Sequence, residues 1–201
     1  EVYRKVLSAQ PDNSVVICSV GFLTNLRKLM EGDRDLVARK VKLWVAMACS
    51  YPTGKEYNSR CDWRSAKVAL EKWPTPVVFT DYQYGIDCFA GLALADSAVA
   101  DNPVADVFRG NRESCNGKRG RSAWDETAVL IAVRGWEPYF VLEHGRYEMV
   151  GNDGEDRWIA DPSVPGGRVT PKLLKDEVGK VIDELMCRKP RKGADRWGKR
   201  E

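Results

Sequence analysis

Histidine is nearly absent: the 201 residues contain one, His144. That scarcity excludes the usual histidine-rich metal centres, and His144 stands in EHGRY with no serine, cysteine or second histidine at a spacing that makes a catalytic pair. It reads as a surface or half-buried hairpin residue. The six cysteines, Cys18, Cys49, Cys61, Cys88, Cys115 and Cys187, include no CxxC pair, so no zinc spacing can be assembled and they read as free thiols. Cys18 and Cys49 lie in apolar runs, where a reduced cysteine behaves as a small hydrophobe, which favours a reducing, cytoplasmic compartment.

Long apolar runs are also missing. Nothing approaches the roughly 20 residues needed to span a membrane, and no charged-then-apolar leader opens the chain. EVYRKVL resembles the middle of an amphipathic helix, with Val2, Val6 and Leu7 on one side and no cap before it, so residues upstream, an export leader included, are left open as an expectation. A dominant charge sign is lacking too. Thirty-two basic against 29 acidic residues give a net charge of +3, too mild and dispersed to make nucleic acid the expected partner. The local exception is CRKPRKGADRWGKRE, which has no apolar period. We divide the chain into one folded unit over 1–190 and a solvated basic tail over 191–201, with no internal repeat and no low-complexity tract.

What remains is a strand–helix alternation. SVVICSV is a β-branched run after the turn cluster Pro11-Asp12-Asn13, and beyond Gly21 the residues Leu23, Leu26, Leu29 and Met30 fall at helical spacing. A glycine in this place can bring a phosphate to helix N–H groups, but no GxGxxG or GxxxxGK[ST] pattern accompanies it, so structural packing is the default. A second helical pattern from Asp35 to Lys42 leads into VKLWVAMACS, and a third unit runs through SRCDWRSAKVALEKW to VVFT. Such alternation predicts an α/β fold: an open, mostly parallel sheet with helices on both faces and ligands at the carboxyl ends of its strands. The loops after Val20, Cys49 and Thr80 are then the places for a site. From Tyr139 the texture alternates, and Asn152-Asp153-Gly154 marks a small antiparallel hairpin appended near the C-terminus. TPKLLKDEVGKVIDELMCRK, with Leu173, Leu174, Val178, Val181, Ile182, Leu185 and Met186 on one stripe, predicts a packed terminal helix beginning at its threonine and proline.

Two local patterns carry chemistry, each with a structural alternative. In YPTGKEYN, Glu56 and Asn58 are two apart, so in an extended segment both side chains project the same way and suit the vicinal hydroxyls of a sugar; equally, either can cap the following helix. In SAWDETAVLIAV, Asp125 precedes a helix-compatible run and reads as an N-cap, or as one ligand of a hard cation.

Taken in order, AQPDNSVVICSVGFLTNL, VKLWVAM with the loop bearing EYN, WPTPVVF and SAWDETAVLIAVRG resemble the nucleoside hydrolase family over about Glu1 to Pro190, and within it a bacterial branch with tryptophan before the late aspartate. The resemblance implies calcium-dependent hydrolysis of a ribonucleoside N-glycosidic bond, in purine and pyrimidine salvage, through an oxocarbenium-like transition state. It assigns Asp125 and the backbone carbonyl of Val20 to calcium, Glu56 and Asn58 to the ribose hydroxyls, and Met47 to the sugar pocket, although Ala48 and Cys49 replace the glycines that usually follow it. The expected partner is a ribonucleoside or related ribosyl compound, with a homo-oligomer left open.

The departures from the family are specific. Trp124 stands where many members have a histidine proposed to protonate the leaving base. An indole has no acceptor nitrogen and cannot be a general acid near neutral pH, although it can stack on a base. The N-terminal DxDxxxDD motif, which supplies most calcium ligands and the general base, has no counterpart, and GDRD at 32–35 reads as a solvated helix start. The chain is therefore expected to correspond to the part of the fold that follows that motif. The alternative function is a catalytically incompetent nucleoside- or sugar-binding remnant.

Overall fold

The computed structural model describes residues 1–96, 102–114 and 120–188; Cys115 and the tail expected over 191–201 lie outside the described residues. In chain order the elements are α1 (Val2–Ser8), β1 (Val15–Ser19), α2 (Thr24–Lys40), β2 (Val41–Ala46), β3 (Thr53–Gly54), α3 (Tyr57–Cys61), α4 (Trp63–Lys72), β4 (Val77–Phe79), α5 (Tyr82–Gly85), β5 (Phe89–Ala90), α6 (Leu92–Asp96), α7 (Pro103–Ser114), β6 (Arg121–Ser122), α8 (Trp124–Arg134), β7 (Phe140–Val150), β8 (Glu155–Ala160), β9 (Gly167–Pro171) and α9 (Lys175–Met186).

The three β-branched runs form β1, β2 and β4, which lie side by side and parallel, and β9 adds a fourth parallel strand. The sheet then continues antiparallel through β7, β8 and β3, giving seven strands in the order β1-β2-β4-β9-β7-β8-β3. The hairpin is therefore not an appendage but the extension of the main sheet. What joins it is β9, for which GRVTP gives little signal. Thr170 and Pro171 belong to that strand, and α9 begins only at Lys175, with Leu174 exposed at its N-cap and the Glu177 carboxylate accepting the Leu174 N–H at 2.9 Å. A Cβ on Gly167 would lie 2.1 Å from the Glu143 carbonyl oxygen, so only glycine lets β9 enter between β4 and β7 at this point.

Side chains alternate across the sheet as a two-residue period requires. Trp44 and Ala46 of β2 face a layer formed by α1, α2 and α4, with Leu7, Leu26, Leu29, Val37, Ala66 and Ala69 buried in it. Val45 and Met47 face the other layer, where Ala128, Leu130 and Ile131 of α8 pack with Val178 and Ile182 of α9. Helices thus cover both faces. On α1 only Leu7 is buried, whereas Val2 and Val6 face solvent. The two helical patterns on either side of GDRD merge in α2 across a break at Asp33 (φ −143°, ψ 31°), whose carboxylate accepts from Arg4 at 2.8 Å; the second run stops at Lys40 because Val41 is already extended. Among the described residues no helix is long and apolar enough to cross a membrane.

Candidate functional site

Parallel pairing brings the ends of β1, β2 and β4 to one edge of the sheet. The ladder runs on past the strands: the Met47 N–H donates to the Ser19 carbonyl at 2.9 Å, and the Thr80 N–H to the Ala46 carbonyl at 3.0 Å. At Cys49 the chain turns through a left-handed conformation (φ 70°) that a buried non-glycine residue adopts only when its surroundings fix it. They do so from both sides. The Cys49 N–H donates to Ser59 Oγ at 3.1 Å, and its carbonyl accepts from the Tyr82 N–H at 3.0 Å. This bend sends the following segment, which carries Glu56 and Asn58, back over the strand ends.

Glu56 is 5% exposed and caps α3. Its Oε1 accepts the Asn58 N–H at 2.9 Å, and its Oε2 accepts the Ser59 N–H at 2.9 Å and the Ser59 hydroxyl at 3.2 Å. Burial pushes the carboxyl above its ordinary range, and those N–H groups pull it back. A carboxylate has about four acceptor positions, so Oε1 retains one for a ligand hydroxyl while the cap is kept. Asn58 is half-buried. Its Nδ2 donates to the Met47 carbonyl at 3.2 Å and lies 3.3 Å from Met47 Sδ, while among the described residues Oδ1 accepts nothing. The structure therefore brings Met47, Glu56 and Asn58 into one cluster.

Asp125 arrives from the other side. The N-cap of α8 is Ala123, which has no side-chain cap, so Asp125 is not the capping residue but lies inside the first turn. There the helix dipole still favours a negative charge. Its carboxyl is raised above the ordinary range by partial burial, opposed by Arg121. Cys18, near the end of β1, is pushed up to about 11 by burial and then by the charge of Asp125, which places that carboxylate within electrostatic reach of the strand end. Val20, the next residue but one, is exposed. The Trp124 indole N–H donates to the Tyr82 carbonyl at 3.1 Å, its ring stacks on Tyr82 with centroids 5.6 Å apart, and the Arg121 guanidinium lies 5.4 Å from the ring. Its partners are thus internal ones. His144 is an exposed residue of β7, with Nδ1 2.9 Å from the Val164 carbonyl.

A calcium ion takes six to eight oxygen ligands. One carboxylate and one carbonyl are a partial set, and among the described residues no group of three or more histidine, cysteine, aspartate or glutamate side chains gathers to complete it. The residues present do not by themselves fit that ion.

The sequence pattern missed a buried ionic cluster behind the bend. Asp81, fully buried, accepts from Arg168 Nε at 2.8 Å and from the Tyr147 hydroxyl at 3.1 Å, and Arg168 Nη1 donates to Glu143 at 2.6 Å. The Arg168 guanidinium also covers the Tyr51 ring at 3.6 Å. Asp156 of β8, equally buried, accepts the Ser50 N–H at 2.7 Å. Asp81 follows the strand VVFT directly, which is a signal of position. Asp156 sits in an alternating hairpin strand and carries none.

No family model matches the sequence, and neither does any curated protein. Among solved structures, the chain is similar to a plant nucleoside hydrolase, the PpNRh1 enzyme, with a TM-score of 0.67 at 16% identity over 90% of this chain and 64% of that one. It is similar to an inosine-guanosine nucleoside hydrolase, with a TM-score of 0.65 at 18% identity over 92% of this chain and 67% of that one. The effector protein XOO4466 matches with a TM-score of 0.65 at 13% identity over 92% of this chain and 62% of its own. The chain has a nucleoside hydrolase-like α/β fold and spans 62–67% of the length of these structures.

Proposed function

We propose that this chain carries the sugar-binding part of a hydrolase that cleaves the N-glycosidic bond of ribonucleosides. The observation that carries the proposal is the convergence of Met47, Glu56 and Asn58 at the carboxyl end of β2, in a fold shared with nucleoside hydrolases. Asn58 Oδ1 and the remaining acceptor position of Glu56 Oε1 suit two adjacent ribose hydroxyls, both of which are donors. Such bonds strengthen as positive charge develops on the sugar ring and the hydroxyls become better donors, so they favour the transition state over the bound substrate. Glu56 is held by four donors, the N–H groups of Cys49, Asn58 and Ser59 and the Ser59 hydroxyl, and serves to bind rather than to move a proton. Trp124 offers an apolar wall to the departing base and no proton for it. Asp125 and the Val20 carbonyl are proposed as two oxygen ligands of calcium in the complete site.

The test is release of free base from a panel of purine and pyrimidine ribonucleosides, with calcium and with chelator, by this chain and by its full gene product. Asn58→Ala should lower kcat/KM by about 100-fold or more, as expected for loss of a hydroxyl contact that strengthens in the transition state. Unchanged kinetics in that variant would overturn the assignment. Tight nucleoside binding with no base release by either form would leave a binding protein, a reading favoured by the partial ligand set at Asp125 and Val20.

A further inference from the structure

The segment between Ser50 and Glu56 is sewn to the hairpin at several points. β3 pairs with β8, setting Thr53 opposite Arg157 and Gly54 opposite Asp156. The Trp158 N–H donates to the Pro52 carbonyl at 2.9 Å, the Thr53 hydroxyl to the Asp156 carbonyl at 2.6 Å, and Lys55 Nζ to Asp153 at 2.5 Å. Most of these contacts involve backbone or exposed groups. One differs: Asp156 is 0% exposed and sends its side chain under the segment, where it accepts the Ser50 N–H at 2.7 Å.

That N–H stands where the turn begins. Ser50 follows the left-handed bend at Cys49, and Glu56 is the cap of α3 and the sugar-facing carboxylate. With the backbone pairing of Gly54 and Asp156 further along, an acceptor that holds Ser50 fixes the start of the segment and, with it, the direction in which Glu56 and Asn58 leave the backbone. The other oxygen, Oδ2, is buried with no partner among the described residues, and Glu56 and Asp81 add negative charge nearby. A carboxyl kept buried in that condition costs free energy that a merely space-filling residue would not.

We propose that Asp156 is a positioning residue for the sugar site, acting through the Ser50 amide to set where Glu56 and Asn58 present their oxygens. This rests on the ribose-binding role of Glu56 and Asn58 given above. Asp156 touches no substrate; it reaches the site only through the segment it holds.

The experiment compares wild type, Asp156→Ala and Asp156→Asn as full-length protein, at a temperature where circular dichroism shows all of them folded. Two quantities are read: amide hydrogen exchange at Ser50, and calorimetric affinity for inosine and uridine in the presence of calcium. Loss of this buried hydrogen bond should speed exchange about tenfold or more and weaken nucleoside binding by about tenfold in Asp156→Ala. Asp156→Asn keeps an amide oxygen in the acceptor position and should restore both quantities. Unchanged exchange in Asp156→Ala overturns the proposal. So does faster exchange with unchanged affinity, because the segment would then be loosened without consequence for the ligand. A wild type that binds neither nucleoside overturns the ribose-binding role instead, and with it this role for Asp156, while the exchange data still show whether Asp156 holds the segment.

Discussion

Arg168 and Asp81 meet at 2.8 Å across the β4–β9 pair, with the carboxylate fully buried and the guanidinium nearly so. Arg168 carries a second carboxylate, Glu143, at 2.6 Å and lies against the Tyr51 ring. Its charge is therefore shared between the strand end that supports the site and the hairpin that reaches over it. Arg168→Met would leave Asp81 buried and uncompensated, and should lower unfolding free energy by about 3–5 kcal/mol in urea titrations. Asp81→Asn in the Arg168→Met background should recover part of that loss, because the stranded charge is gone.

Gly85 has no room for a methyl group. A Cβ there would stand 2.2 Å from Trp124 Cδ1 and 2.8 Å from the Trp124 Cα, so both the ring and the start of α8 have to move. Gly85→Ala should cost about 1–3 kcal/mol and disturb the Tyr82–Trp124 stack, visible as a changed near-ultraviolet circular dichroism spectrum.

Glu56 and Asn58 separate stability from binding. Glu56→Ala removes the α3 cap and strands the buried N–H of Ser59, a loss of about 2 kcal/mol or more by thermal or urea unfolding. Asn58→Ala gives up one bond to the Met47 carbonyl, and should cost about 1 kcal/mol while abolishing most of the sugar affinity. Equal effects on stability from the two substitutions would contradict the capping geometry.

Asp156 sets a pH dependence. Burial, reinforced by Glu56 and Asp81 and opposed by the N–H groups of Ser50 and Glu56, raises its carboxyl from 3.8 to about 7. In the folded protein the proton is then held where the unfolded chain has already released it. Stability is accordingly full below about pH 4, declines as the pH rises through 7, and is level above, by at most about 4 kcal/mol from this group. Asp156→Asn should flatten that decline in urea titrations across pH 4–8 and leave a protein more stable than wild type at pH 8.

Thiol labelling should sort the cysteines by exposure. Cys61 and Cys187 are exposed, whereas Cys49 and Cys88 are buried, with thiols raised by desolvation. A small disulfide reagent at pH 8 should modify the first pair in the native state and the second only on unfolding. Rapid native labelling of Cys49 would contradict the closed packing of the bend.

Local chemistry explains which features the sequence disclosed. The runs around Val15–Ser19, Val41–Ala46 and Val77–Phe79 are β-branched and apolar because each is covered on both faces, and that composition made the parallel strands legible. The alternative that Glu56 caps a helix was also legible, since a cap involves only the next three residues. Asp125 was less so: aspartate suits an N-cap, but α8 starts earlier, at Trp124, and leaves the cap to Ala123. The join between the parallel strands and the hairpin was hidden because it depends on Gly167 fitting between two other strands, a long-range requirement with no local signature. Asp156 was hidden for the same reason, its partner lying 106 positions away.

That separation of 106 positions has a temporal meaning. Met47, Glu56 and Asn58 leave the ribosome well before β8 exists, and at synthesis rates of 5–20 residues per second the interval is roughly 5–20 s. During it the parallel strands β1, β2 and β4 can pair, but the segment that carries Glu56 and Asn58 has no strand to lie against and no carboxylate to hold its Ser50 end. Assembly of the site is therefore a late event, completed when the hairpin closes over a platform already in place, and non-local closure of this kind is the slow kind.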